Sequence, residues 1–113
     1  MNDSILLTIK KLIGIDTDYN HFNEDLIIHI NSVFMILCQM GVGPKEPFQI
    51  TGENETWNDF SDDMNLMQSV KTYLYLKTKL IFDAPTNGAM IQSLKETIAE
   101  LEFRLNVEMD KEE

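Results

Sequence analysis

The sequence predicts a mainly α fold: a small helical bundle of about four helices, with an extended loop or short hairpin at 45–62. Three observations predict it. Apolar residues recur with the 3.6-residue period of an amphipathic helix in four separate stretches, glycine or proline closes the first three of them, and the period is lost over 45–62. At 113 residues the chain is expected to form a single domain over 1–113, with one modest core.

Residues 4–13 place Ile5, Leu6, Ile9, Leu12 and Ile13 on one face and Lys10 and Lys11 opposite, and Gly14 follows as a stop. A helix this short does not hold in water without a tertiary partner. The next stretch, IDTDYNH, is polar and turn-rich.

Residues 22–44 carry the strongest helical signal. Leu26, Ile27, Ile30, Val33, Phe34, Leu37 and Cys38 define one face, and Ile28, Met35, Ile36 and Met40 widen it beyond the needs of a surface helix. The helix is therefore expected to be buried on more than one side, as the central post of the bundle or against a second subunit. Asn23 can cap its first turn, Glu24 and Asp25 suit the positive end of the macrodipole, and Phe22 and Ile27 occupy the hydrophobic-staple positions. At the far end Gly41 suits a left-handed closing residue, Val42 is placed to contact Leu37, and Pro44 blocks continuation.

In GVGPKEPFQITGENETWNDFSDD the helical period disappears. Phe48 and Ile50 alternate with polar neighbours, Gly52 to Glu55 supply turn chemistry, and Thr56, Trp57 and Phe60 restore β-prone residues. Trp57 and Phe60 stand among Glu53, Glu55, Asp59, Asp62 and Asp63. Aromatic anchors in a polar surround are common at protein interfaces, and the alternative is that Trp57 folds back to cap the bundle.

Helix returns over 63–82, with Leu66, Met67, Val70, Tyr73, Leu74, Leu80 and Ile81 on one face and Lys71, Thr78 and Lys79 away from it. Lys77 falls on the apolar side, where its stem can pack while its ammonium reaches outward. Ala84-Pro85 ends this helix. Thr86 or Asn87 can cap the last one, in which Ile91, Leu94, Ile98, Leu101 and Leu105 step by 3, 4, 3 and 4, and Glu100 to Arg104 forms an i,i+4 pair. The closing MDKEE is expected to fray.

The charge balance, 9 basic against 19 acidic residues, gives a formal net charge of −10. Binding to duplex DNA needs Lys and Arg to displace counterions, so sequence-independent DNA binding is disfavoured. The surplus suits an ordinary acidic surface, or a face turned towards DNA in order to repel it, as in a conduit. No apolar run is long enough for a membrane span and the start has no signal-peptide layout, which leads to the expectation of a soluble intracellular product. Cys38, the sole cysteine, lies in the apolar helix and reads as a packed structural thiol.

No phosphate loop, dinucleotide fingerprint or nucleophile motif occurs. His29, with Asp25 four residues before it, could supply two metal ligands, but nothing nearby completes a site. No helix carries the Arg-, Lys-, Asn- or Gln-rich face of a DNA reader. The residues thus indicate a non-enzyme without cofactor or metal, an acidic helical interaction module with an aromatic loop.

The runs INSVFMILCQMGVGPKEPFQI, TWNDF, VKTYLYLKTKLIFDAP and LKETIAELEFRLNV, in this order, resemble the small head-tail connector (adaptor) proteins of long-tailed double-stranded DNA phages and their prophage relatives. The resemblance spans roughly residues 4–108 and rests on order and spacing. It implies a mostly helical protomer that assembles as an oligomeric ring beneath the portal of a DNA-filled head, at the head-tail junction of the virion and in the host cytoplasm during assembly. It further implies as partners the portal and a tail or head-completion (stopper) protein, with DNA passing through the channel without sequence-specific binding and without a membrane. By position, the 45–62 loop is then the candidate contact segment, with Phe48, Ile50, Trp57 and Phe60 as anchors. Connectors of this type often dock on the portal through a C-terminal extension. Here six residues follow Val107, so docking is expected to use the last helix or an ordering of 109–113. Two alternatives are an acidic regulator that imitates DNA and an accessory of the DNA-packaging motor.

Overall fold

The computed structural model describes residues 3–111, with five helices in the order α1 (Ile5–Leu12), α2 (Asn23–Gln39), α3 (Trp57–Phe60), α4 (Met64–Phe82) and α5 (Gly88–Lys111). Four match the expected helices. The fifth, α3, is a single turn inside the 45–62 loop. There is no strand among the described residues, so the hairpin half of the expectation is not what forms; Ser4 and Thr56 instead make one isolated antiparallel bridge.

Each of α1, α2 and α5 makes its principal helix contact with α4. The central post is therefore α4, whose Met67, Val70, Tyr73, Leu74 and Thr78 are buried, and not α2. The reason lies in the flanks of the two helices. On α2, Leu26, Ile30, Val33, Phe34 and Leu37 are buried, but Ile28 is 69% exposed and Met35 is 42% exposed. Thr78, expected on the solvent side of α4, is fully buried, and its hydroxyl donates to the Leu74 carbonyl at 2.7 Å, which removes the cost of burying it. Ile81 lies on the same stripe as Leu74, two turns later, yet is exposed, so the cover over α4 ends between them.

The helix ends explain their own positions. Ser4 caps α1, its side chain accepting from the Leu7 amide at 3.3 Å. Asn23 does not cap α2: it is the first helical residue, reached from a turn in which its amide donates to the Asn20 carbonyl at 3.2 Å. The staple is also absent as drawn, because Phe22 is exposed and its ring turns to Tyr19 and His21. The far end of α2 closes as expected, in a Schellman motif. Gly41 adopts φ +80°, its amide donates to the Cys38 carbonyl at 3.0 Å, and Val42 donates to the Leu37 carbonyl at 2.9 Å. Asp63 caps α4 by accepting from the Asn65 and Leu66 amides, and Asn87 caps α5 by accepting from Ala89. Helix α5 continues through Lys111, past the point where fraying was expected, while Glu112 and Glu113 lie outside the described residues.

Lys10 departs from its expected solvent position. It is fully buried, and the turn after α1 closes over its ammonium, which donates to the carbonyls of Thr17 at 3.1 Å and Tyr19 at 2.7 Å. Position 10 borders the apolar face through Leu6 and Ile9, so a long stem can pack there once carbonyls satisfy the charged end. Helix α5 leans on α4 through Ile98 and Leu105 and through one buried polar link, the Tyr73 hydroxyl donating to the Glu102 carboxylate at 2.7 Å. Burial, and then Glu102, pushes the Tyr73 hydroxyl far above its ordinary range, so the link stays protonated.

Gly43 is where the backbone tolerates least. It holds φ +91°, and a Cβ added there would stand 2.5 Å from the Phe60 ring, whereas Gly41 faces open space. Replacing Gly43 with Ala is expected to cost about 2–3 kcal/mol by urea unfolding, against about 1 kcal/mol for Gly41→Ala, because only the first adds a clash to the left-handed strain.

Candidate functional site

The segment between α2 and α4 carries the residues singled out from the sequence, and it lies against the bundle. Three sets of contacts hold it there. The first is an amide clamp: the Asn31 side chain, on α2, donates to the Ile50 carbonyl at 3.0 Å and accepts from the Ile50 amide at 2.7 Å. One side chain thereby satisfies both backbone groups of Ile50, whose own side chain is buried.

The second set is aromatic. Phe34 of α2 meets Phe48 at 5.1 Å edge-to-face and Phe60 at 5.1 Å, and Phe48 meets Phe60 at 5.5 Å, nearly perpendicular. The third ties the loop to the chain's beginning. The Ile5 amide donates to the Glu55 carbonyl at 3.0 Å and the Trp57 amide to the Asp3 carbonyl at 3.2 Å. Trp57 is fully buried; its indole N–H donates to Thr8 Oγ1 at 3.2 Å, and the Lys71 ammonium stands 5.3 Å from its ring.

The expected anchors are thus brought together inside the protomer. Ile50, Trp57 and Phe60 are buried and Phe48 is half-buried, which is the arrangement of the alternative in which Trp57 folds back on the bundle. They set the shape of the loop, and other side chains form its outer surface: Lys45, Glu46, Gln49, Glu53, Asp59, Asp62 and Asp63 are exposed. That surface is acidic, and some of its acids also order the backbone. Asp59 accepts from the Thr56 amide at 2.9 Å and Asp63 caps α4.

Glu55 has the same ordering role inside the turn. Its carboxylate accepts from the Thr51 amide at 3.0 Å, the Thr51 hydroxyl at 2.7 Å and the Gly52 amide at 3.3 Å. Burial nudges its pKa up, but the hydrogen bonds from Thr51 and Gly52 outweigh that and hold it below the ordinary 4.5.

Two hollows lie elsewhere. One, of about 560 Å³, runs between the start of α4 and the end of α5, lined by Leu66, Ser69, Leu105 and Val107 with the exposed Phe103. The other, of about 510 Å³, is a shallow depression over Gly14, Ile15, Asp16 and Tyr19. Among the described residues no three His, Cys, Asp or Glu side chains converge as a metal site would require. No helix among them is long and apolar enough to cross a membrane. Cys38 is half-buried, its thiol 3.6 Å from the Lys45 carbonyl at the loop's beginning.

Sequence reasoning missed Asn31, Thr8 and Lys10. A polar residue inside an apolar helical run, as Asn31 is, carried the usable signal: burial there demands partners for both its donor and its acceptor, and a non-helical backbone has both to offer.

The model of a family described as phage connector protein matches residues 5–112, which takes in every described helix. Comparison with curated proteins and with solved structures found no match.

Two outcomes follow from the loop's contacts. Asn31→Ala leaves the Ile50 amide and carbonyl without their partner and is expected to cost about 1–3 kcal/mol, with faster limited proteolysis confined to residues 45–62. For Glu55 the folded pKa lies below the unfolded one, so its contribution to stability is whole above pH 4.5 and is lost as the pH falls through the lower folded value. Amide signals of Thr51 and Gly52 should move over that acid range in the wild-type chain and stay still in Glu55→Gln.

Proposed function

Because the chain belongs to the phage connector protein family, we propose that it is a structural virion protein whose copies form a ring at the head-tail junction, extending the portal channel. The observation that carries this reading is the family match over residues 5–112, which leaves no described helix outside it. On this reading the protein is assembled in the host cytoplasm, binds the portal on one side and a tail or head-completion protein on the other, and lets DNA pass without reading its sequence.

Two features of the protomer support it. A channel wall that gripped phosphates would hold DNA back, and the net charge of −10 gives repulsion instead. Among the described residues Glu100 pairs with Arg104 inside α5 and Lys79 pairs with Asp83 just past the end of α4, both over four residues of sequence. The loop at 45–62 is also fastened at both of its ends and in its middle, which gives a partner a preformed surface at low entropic cost. Phe48, Ile50, Trp57 and Phe60 then serve partner contact by fixing the loop's shape, and its exposed polar residues make the contact.

The ring contact is assigned to the outer flank of α2. Ile28 and Met35 lie seven residues apart, on one stripe, and both are exposed in the protomer. Between the exposed Asp25, Ser32 and Gln39 these two apolar side chains give a mixed flank that a second copy can cover.

The test is to tag the chain in phage-producing cells and locate it by electron microscopy and mass analysis. Retention at the portal vertex of DNA-filled heads is the expected result; absence from both heads and finished virions would overturn the reading. In the same assay Ile28→Lys should keep its helical circular dichroism and lose at least tenfold in ring assembly, since a buried lysine without a partner costs several kcal/mol. Undiminished assembly would move the ring contact off α2.

A further inference from the structure

His29 is a half-buried residue whose ring the packing leaves incompletely satisfied. It sits on α2 one turn after the exposed Asp25, and its imidazole meets the Phe82 ring edge-to-face with centroids 5.8 Å apart, so that it joins α2 to the last turn of α4. Its Nε2 is buried and has no hydrogen-bond partner. From α4 the Lys77 ammonium, which stands 5.8 Å from the Tyr73 ring centroid, opposes a positive charge on the imidazole, while the Lys77 backbone favours one. The carboxylate at the end of that helix, Asp83, is engaged by Lys79 at 3.0 Å.

This surrounding accepts a neutral imidazole and opposes a charged one. A second ring proton would place a cation in a partly desolvated site beside the Lys77 ammonium, with Nε2 unpartnered in the closed packing and only the Lys77 backbone favouring the charge. We propose that His29 is a pH-sensitive latch between α2 and the end of α4, closed while the imidazole is neutral and released when a second proton enters the ring. The released part is the final turn of α4 with the link over residues 83–87 that leads into α5.

The direction of the shift agrees. Burial first, and then Lys77, holds the His29 pKa below the ordinary 6.5, with the Lys77 backbone pulling it partly back. The unfolded or opened chain therefore takes the proton more readily than the closed one. The latch's contribution is whole above pH 6.5 and declines as the pH falls below it.

The experiment is a nuclear magnetic resonance titration of the full chain from about pH 7.5 to about pH 5.5, the range in which an imidazole changes charge and carboxylates do not. His21→Gln leaves His29 as the single imidazole. It should titrate with a midpoint below 6.5, and the backbone amides of residues 77–87 should move with that same midpoint. In His29→Phe those amide movements should vanish. A midpoint at or above 6.5, or amides at 77–87 that hold still while His29 titrates, would overturn the proposal. So would movements that persist in a folded His29→Phe chain. If His29→Phe does not fold, the titration of His21→Gln decides alone.

Discussion

The structure depends on one shared post. Helix α4 has to supply a packing surface for α1, α2 and α5 together, because a chain of this length has a single core and each partner is too thinly apolar to hold a helix alone. The partners are unequal. Helix α1 has eight residues and α2 has seventeen, so two helices of different length leave a gap beside the shorter one. The loop between α2 and α4 fills it. Trp57 reaches Thr8 on α1, Phe48 and Phe60 close on Phe34 of α2, and Ile5 hydrogen-bonds to Glu55. The aromatic loop thus completes the core that α1 cannot complete.

This arrangement explains why polar groups are buried where they are. Folding a loop inward brings its backbone amides and carbonyls with it, and each must find a partner. Asn31 serves Ile50, Glu55 serves Thr51 and Gly52, and the chain's first residues serve residues 55 and 57. Lys10 meets the reverse need: a buried ammonium is satisfied by carbonyls that the turn after α1 places above it. Close packing also fixes the glycine in MGVGP that touches the aromatic trio, since Gly43 leaves room for Phe60 that no side chain would.

Much of this was legible residue by residue. The closing motif of α2 was readable because Gly41, Val42 and Leu37 interact across a single turn, and the Asn87 cap and the Glu100–Arg104 pair are equally local. The candidate anchors were found as residues, with an interface role and a Trp57 folded back on the bundle both left open. Trp57 among five acids looks like an interface in one dimension, whereas in space Glu53, Asp59, Asp62 and Asp63 are exposed, Glu55 turns to the loop backbone and the indole is buried. Asn23 was misread for a similar reason: its cap position is set by the turn from Asn20, and the composition of the helix start does not reveal that turn.

The sequence alone determined the helical class, the four periodic segments and their stops, the excess of negative charge, and the family to which the chain belongs, because each depends on spacing along the chain or on total composition. The tertiary structure alone decided which helix became the post, that Lys10 and Thr78 are inside while Ile28 and Ile81 are outside, and that the loop's aromatics face the core. These depend on how far each neighbour reaches. A helical period gives the direction of a side chain about its own axis, and only the packed partner determines whether anything lies in that direction.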